Sequence, residues 1–522
     1  MYSYDAIVIG GGLLGCFAAR SLTRYNLKVA LLEKNKDLCT GISRANTAIV
    51  YSGCDTKPGS LKTSLCVSGS QGFSKLCSEL GVRYNKCGSI MISFGERGDE
   101  IIRKKFEQGK INGVQGMKIL CSSEILVLEP NLADHVSLGL FVPETGTVMP
   151  WELCLAAAEN ALENGAQIIR STEVIDIKAD TVNSDGYTIH TNNGSYFAKA
   201  VINCAGISAD SILSLVESPT VKIIPTAGDY TVLDTQTENH IKHVIFHEQE
   251  EKGKGLTIVP TVDGNILIGP TKRSLTEKNF LGSSMEAKAE NRNFKTNPFS
   301  TSQEGLDLLK KLVSEVIPTL PMEKTITAFG AIRPNPFMQS KNEDGTWKTD
   351  DKSISDLCIV ESESGTFLGL VGIKTPGMTC ANELGEYIAK KISTKLDAEP
   401  NRNFTPFRKP PTRLSLLEIK NRQSLISEKP EYGNIICRCR GISEGEIIDA
   451  IHRKPGALTL DGIKQRTGAQ SGRCQGGYCT SHIMKIMARE LGCKIEDITK
   501  NGGDSWVVRR KSSNHNENRS NS

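Results

Sequence analysis

Residues 4–33, YDAIVIGGGLLGCFAARSLTRYNLKVALLE, restrict the fold more than any other part of the chain. An apolar, β-rich run over 6–9 leads into Gly10, Gly12 and Gly15. A helical pattern continues through Leu22, and a second apolar run over 29–32 ends at Glu33. That order predicts a βαβ unit with a dinucleotide fingerprint. Gly10 permits the tight turn, Gly12 lets backbone approach a pyrophosphate, and Gly15 allows helix and strand to pack closely. The helix N-terminus supplies partial positive charge, and Glu33, eighteen residues after Gly15, accepts from ribose hydroxyls. The unit alone chooses neither NAD nor FAD, and it chooses no reaction.

The length, 522 residues, suggests about three domains. A net charge of +4 implies neither nucleic acid nor an anionic membrane surface as a partner. No apolar run reaches the ~18 residues that would predict a transmembrane segment. Sixteen cysteines with no visible secretory signal predict a reducing, cytoplasmic setting, which is compatible with peripheral attachment to a membrane.

After Glu33 the loop 38–66 is rich in small polar residues that can lie along an extended ligand, with Ser43, Asn46 and Thr47 as its donors. A helix is expected over 61–80 with Gly81 as its stop, and another from Pro150 to Gly165. Strands follow at 167–170 and 173–177. The buried strand 200–203 ends in Ala205 and Gly206, where small residues again let backbone come near a ligand. β-like alternation runs from 221 to about 332, broken by a polar stretch at 276–303, and a second polar stretch spans 341–355. Arg333 follows a β-rich run, and an apolar strand at 367–371 meets the Gly377-Met378-Thr379 turn before a helix. A glycine turn feeding a helix N-terminus offers donors to an electron-rich ring edge or an oxyanion.

These signals divide the chain. Segments 1–87, 150–215 and 331–395 form a Rossmann-like domain, interleaved with a mixed-sheet α+β substrate domain at 88–149 and 216–330. A proline-marked linker at 396–430 leads to a small helical domain at 431–508 and a disordered tail at 509–522. In the small domain Ser443 and Glu446 predict a capping box, and Ile483, Ile486, Met487 and Leu491 a core stripe. Its Cys437-Arg-Cys439 and Cys474-x-x-x-x-Cys479 pairs can close four thiolates around one centre. One-residue spacing suits two thiolates on one iron of a small cluster, while zinc and buried free thiols remain open.

Together IVIGGGLLG to LLEK, NTAIVYSGCDTKPGSLK, NCAG, GAIRP and IKTPGMT resemble, in order, the FAD-dependent oxidoreductases of the D-amino acid oxidase superfamily. The similarity is to the branch with glycerol-3-phosphate and L-2-hydroxyglutarate dehydrogenases. The segment CRC to RCQGGYC resembles the bacterioferritin-associated-ferredoxin-like 2Fe-2S domain. The fold class expected is therefore α/β, with a Rossmann-like FAD domain interleaved with a mixed-sheet α+β substrate domain and a small C-terminal helical iron-sulfur domain.

The resemblance implies FAD, with Gly10, Gly12, Gly15, Glu33 and Lys34 on its ADP half. It implies Ser43, Asn46 and Thr47 near the pyrophosphate and ribityl chain, Val174 at adenine, and Ala205 and Gly206 at the second strand end. Gly377, Met378 and Thr379 fall beside the flavin, and Cys437, Cys439, Cys474 and Cys479 are the 2Fe-2S ligands. Arg333 matches a position that holds an acidic substrate group, a task suited to guanidinium geometry.

One departure concerns Tyr51, which stands where the family often carries His. Tyrosine, with an ordinary pKa of about 10, is a poor base at neutral pH. Lys254 and Lys374 are alternative basic groups. The activity implied is oxidation of a small anionic 2-hydroxy compound, sn-glycerol 3-phosphate first. Electrons then leave through the cluster to an electron-accepting redox protein or a quinone-linked chain. Rivals are L-2-hydroxyglutarate or amino-acid oxidation, and a redox module with no organic substrate. A pyridine-nucleotide-dependent reductase would need a second glycine fingerprint and a redox-active cysteine pair after Glu33, and both are missing.

Overall fold

The computed structural model describes residues 2–180, 186–247, 255–275 and 300–508. The expected 276–303 insertion lies almost wholly outside the described residues, as do Lys254 and the tail. The chain divides into two units after Pro410.

In the first unit a parallel sheet forms around β1 (Tyr2–Ile9). Its order is Gln167–Ile169, β2 (Val29–Leu32), β1, Gly194–Asn203 and Phe367–Leu370. Val8 and Ile7 point into different cores, which explains why the strand reads as one continuous apolar run. The helix α1 (Leu13–Leu22) covers one face together with Pro150–Glu163 and Ala381–Lys395. α2 (Leu61–Leu80) ends as expected at Gly81, whose φ of 60° is left-handed.

Two close approaches fix the β1–α1 junction. A Cβ at Gly15 would lie 1.9 Å from the Gly10 carbonyl oxygen, and a Cβ at Gly10, where φ is +105°, would lie 2.5 Å from the Cys204 carbonyl oxygen. Deeper in the helix the fully buried Arg20 donates Nε to Asn160 Oδ1 at 2.8 Å and a terminal nitrogen to Asn382 Oδ1 at 3.1 Å. Its guanidinium also lies 3.7 Å from Glu79. Burial, then the neighbouring Arg24, brings the Arg20 pKa down to about 10, so it stays charged at neutral pH.

The second sheet of this unit runs Trp347–Thr349, Thr325–Lys341, Val221–Leu233, Ile266–Ile268, Leu256–Pro260, Val244–His247, Ser89–Ser93, Leu138–Val142 and Lys118–Cys121. The helices Gln303–Val316 and Ser122–Leu128 back it around Leu309, Leu312 and Ile125. Its long ribbon pairs Val221 with Met338 and continues to Leu233 with Thr325, which sets Arg333 opposite Thr226. Residues 331–341 therefore extend the second sheet, contrary to their expected place in the Rossmann-like domain. The reason is that the apolar run before Arg333 and the residues after it form one unbroken strand.

The expected linker at 396–430 is also corrected. Asn401 N donates to Arg24 O at 2.7 Å, Thr405 N to Asn164 Oδ1 at 2.8 Å, and buried Arg408 meets Glu159 at 2.6 Å. Prolines there mark a strap laid on the first unit, and residues 419–428 are helical within the second. That second unit packs a short hairpin, Ile435–Cys437 with Ile442–Ser443, and the helices Glu444–His452, Leu460–Thr467 and Thr480–Leu491 around Ile447, Ile463, Ile483 and Met487. The Ser443–Glu446 capping box is present.

Because the nearest atom a Cβ at Gly15 would meet is the Gly10 carbonyl oxygen, relief requires a backbone shift rather than a side-chain rotation. Gly15→Ala is expected to cost about 3 kcal/mol and to lower Tm by calorimetry. Gly41→Ala, where a Cβ meets nothing within 4 Å, should leave Tm unchanged.

Candidate active site

The strand ends of the first sheet and one face of the second enclose a cavity of about 760 Å³. The first sheet and its loops contribute Gly10, Gly12, Glu33, Lys34, Ser43, Asn46, Thr47, Val174, Ala205 and Gly206. The other wall includes Tyr51, Arg333, Lys374, Gly377 and Met378. Two expected residues do not line it. Gly15 acts through the junction described above, and Thr379 is buried, its Oγ1 accepting from Tyr51 N at 2.9 Å. Thr379 thus ties the 377–379 turn to the Tyr51 segment rather than facing the cavity.

The N-terminus of α1 has Gly12 as its cap residue and no side-chain cap of its own. Ser43, from the following loop, accepts from Leu13 N at 2.9 Å in that role. Asn46 braces the same loop, donating to Ser43 O at 3.0 Å and accepting from Ala48 N at 2.9 Å. Glu33 accepts from Gly11 N at 2.7 Å and from Asn35 N at 2.8 Å. Burial raises its pKa, against the lowering pull of those two amides.

On the second sheet, register decides what faces the cavity. Ser89, Met91, Leu140, Val142, Phe246 and Thr257 line it, whereas Ile90, Ile92 and Ile245 belong to the core behind. His247, one residue past Phe246, borders the cavity with its ring packed edge-on to Phe94, 4.9 Å away. Tyr51 lies against Phe246, with ring centroids 6.0 Å apart, and its hydroxyl is 3.2 Å from Thr47 Oγ1. Burial pushes the Tyr51 pKa up to about 12. The departure from histidine is therefore a real change of chemistry, because this hydroxyl stays protonated at any physiological pH.

Arg333 has no carboxylate partner among the described residues. Lys374 donates to Ser353 Oγ at 3.1 Å, and its pKa is lowered by burial, then by Lys62 and Arg333. Lys62, in the first turn of α2, donates to Ser355 O, while Asp356 accepts from Leu61 N and Lys62 N. The loop 353–356 thus meets two lysines, of which Lys374 lies near Arg333, and residues 353–355 come from the 341–355 stretch expected to be a surface insertion. No period or motif marks Lys62 or Ser353; only the folded chain brings them to Lys374.

Residues 5–391 match the family described as FAD dependent oxidoreductase. The chain belongs to that family. Residues 435–489 match the BFD-like [2Fe-2S] binding domain. Glycerol 3-phosphate dehydrogenase of Caloramator mitchellensis is 36% identical over 508 residues, covering 97% of this chain and 98% of that one. L-2-hydroxyglutarate dehydrogenase of Bos taurus is 30% identical over 282 residues, covering 51% of this chain and 60% of that one. In fold the oxidoreductase is similar to dithionite-reduced L-alpha-glycerophosphate oxidase from Mycoplasma pneumoniae with FAD bound. There the TM-score is 0.67 at 24% identity, covering 79% of this chain and 100% of that one.

The residues present fit both cofactors. A helix N-terminus whose cap residue is glycine, beside a buried acid at the end of β2, suits a dinucleotide. In the second unit the four expected cysteines form a chain of neighbouring sulfurs. The sulfurs of Cys437 and Cys439 are 3.9 Å apart and those of Cys439 and Cys474 3.8 Å, with the Cys479 thiol a close electrostatic neighbour of Cys437. Among the described residues, no three His, Cys, Asp or Glu side chains are drawn around a single ion. An all-thiolate set in two sequence pairs suits a [2Fe-2S] cluster. All sixteen cysteines are free thiols, and no helix of the described residues is long and apolar enough to cross a membrane.

Since the Tyr51 hydroxyl neither ionises nor accepts a proton near neutrality, Tyr51→Phe should remove only a hydrogen bond of about 1 kcal/mol, less than roughly tenfold in rate. Stopped-flow flavin reduction between pH 6 and 9 is expected to keep its profile.

Proposed function

We propose that this oxidoreductase converts sn-glycerol 3-phosphate to dihydroxyacetone phosphate and passes the electrons through its [2Fe-2S] domain to a redox partner. FAD, when bound, supplies the two-electron acceptor for the hydride, and the cluster supplies a one-electron exit. The observation that carries the substrate reading is Arg333, a cavity-lining guanidinium without a carboxylate partner among the described residues, with Lys374 on the same wall and Lys62 close behind. A guanidinium with no carboxylate partner among the described residues suits a phosphate dianion, and the likeness to the Caloramator dehydrogenase supports the same choice.

On this reading the backbone at Gly10 and Gly12 and the N-terminus of α1 take the pyrophosphate, with Ser43 and Asn46 shaping the loop beside it. Glu33 and Lys34 meet the ribose, the Val174 backbone meets adenine, and Ala205 and Gly206 leave room at the second strand end. Thr47 stays with Tyr51, and the Gly377–Met378 backbone lies against the flavin ring. Arg333 orients the phosphate. Lys374, with its lowered pKa, accepts the alcohol proton at Nζ, and Tyr51 donates a hydrogen bond to the substrate oxygen. A chain rich in free thiols and holding a cluster suits a reducing, cytoplasmic setting.

Anaerobic flavin bleaching with glycerol 3-phosphate, L-2-hydroxyglutarate and amino acids tests the reading. Bleaching by glycerol 3-phosphate is expected, and bleaching by L-2-hydroxyglutarate alone would replace it. Arg333→Met should weaken glycerol 3-phosphate binding by about 3 kcal/mol, on the order of 100-fold in KM.

The Lys374 reading carries its own pH test. A lowered pKa exposes the neutral amine at lower pH than for an ordinary lysine, near 10.4. Flavin reduction at saturating substrate should therefore rise with pH, with a midpoint below about 10.4. Lys374→Gln should lose that limb, and a limb that persists would place the base elsewhere.

A further inference from the structure

The surface around the four cysteines carries one sign of charge. Residues 437–443 and 468–485 hold Arg438, Arg440, Arg473 and Lys485 but no Asp or Glu. Several acids elsewhere in the unit are already engaged. Glu444 pairs with Arg489 at 2.8 Å, Glu490 with His452 at 2.7 Å and Asp461 with Lys500 at 2.8 Å, while Glu446 lies in the capping box.

Exposure divides the cysteines unequally. Cys437 and Cys479 are buried, whereas Cys439 and Cys474 are exposed, each next to an exposed arginine, Arg438 and Arg473. The Arg438 guanidinium sits 4.6 Å over the ring of Tyr478, which is itself 45% exposed. Arginine and tyrosine are the side chains most enriched at protein interfaces, and a rim of one charge speeds encounter with the opposite charge.

We propose that this face is the docking surface for a small, acidic, one-electron carrier protein, seated over the Cys439–Cys474 edge with Arg438, Arg473 and Tyr478 as its principal contacts. The proposal rests on the cluster being the electron exit and not on the identity of the substrate. Oxidation of one secondary alcohol to a ketone releases two electrons and two protons. The electrons leave in two successive docking events that reduce two carriers, and the protons pass to solvent.

The test uses the full-length holoenzyme, with an acidic plant-type ferredoxin and basic cytochrome c as probes. Binding is measured by calorimetry at low and high salt, without substrate. The ferredoxin should bind, and its affinity should fall by at least about tenfold in high salt. Arg438→Glu and Arg473→Glu should each weaken it by about tenfold. Lys420→Glu, on the helix Ile419–Glu428, should not change it. Arg438→Gln and Arg473→Gln serve if a reversal costs the cluster.

Visible and EPR spectra, the cluster midpoint potential, and rapid-freeze EPR of cluster reduction by substrate separate the other roles for these arginines. Unchanged spectra and unchanged reduction with weakened ferredoxin binding support the docking face. A shifted potential with binding intact would assign the arginines to the cluster itself. Slower cluster reduction with binding intact would assign them to transfer within the chain. Cytochrome c binding as tightly as ferredoxin would overturn the proposal outright.

Discussion

The first unit depends on one steric fact, the absence of side chains where β1 meets α1. Gly15 rests on the carbonyl of Gly10, and Gly10 rests on the carbonyl of Cys204, so helix, turn and second strand end meet backbone to backbone at their closest points. With that junction closed, α1 can lie flat on the sheet and aim its N-terminus into the cavity. Ser43 then completes the helix end from outside. A site for a phosphate-linked cofactor is thus a by-product of packing, and the polar loop that follows β2 only finishes it.

The opposite wall is built on another logic. The second sheet alternates, so Ser89–Ser93 and Leu138–Val142 turn every other side chain to the cavity and the rest to the core behind. This places Met91, Phe246 and Thr257 along an apolar wall, with Arg333 and Lys374 among the charged groups that line the cavity. Cations beside an apolar wall act with less screening than in open water, which suits the orientation of a small anion.

The glycine fingerprint, Glu33, the α2 stop at Gly81 and the four cysteines were legible because each is local: a turn, a cap or a ligand spacing needs few residues and little context. Arg333 was legible as a cavity residue but not as a residue of the second sheet, since strand identity does not say which sheet a strand joins. Thr379 sits inside a recognisable turn, yet its hydrogen bond to Tyr51 spans most of the chain. The partnership of Lys62, Ser353 and Lys374 is likewise a product of tertiary contact, with no period to announce it. The stretch 396–410 misled for a further reason: prolines break helices in a strap as they do in a linker, and only the buried Arg408–Glu159 pair tells the two apart.

That strap has a bearing on how the molecule can be divided. Arg20 and Asn160, both fully buried, meet it through the carbonyls of Pro406, Thr405 and Phe407, and Arg408 brings a second buried cation to Glu159. Ending the chain near residue 396 would strip acceptors from Arg20 and Asn160 and leave the Glu159 carboxylate buried without its counterion. The flavoprotein part therefore has its true border beyond Pro410, well past the last helix of its Rossmann-like sheet. A cut between the flavoprotein part and the cluster part keeps both buried cations partnered only if it falls past that border.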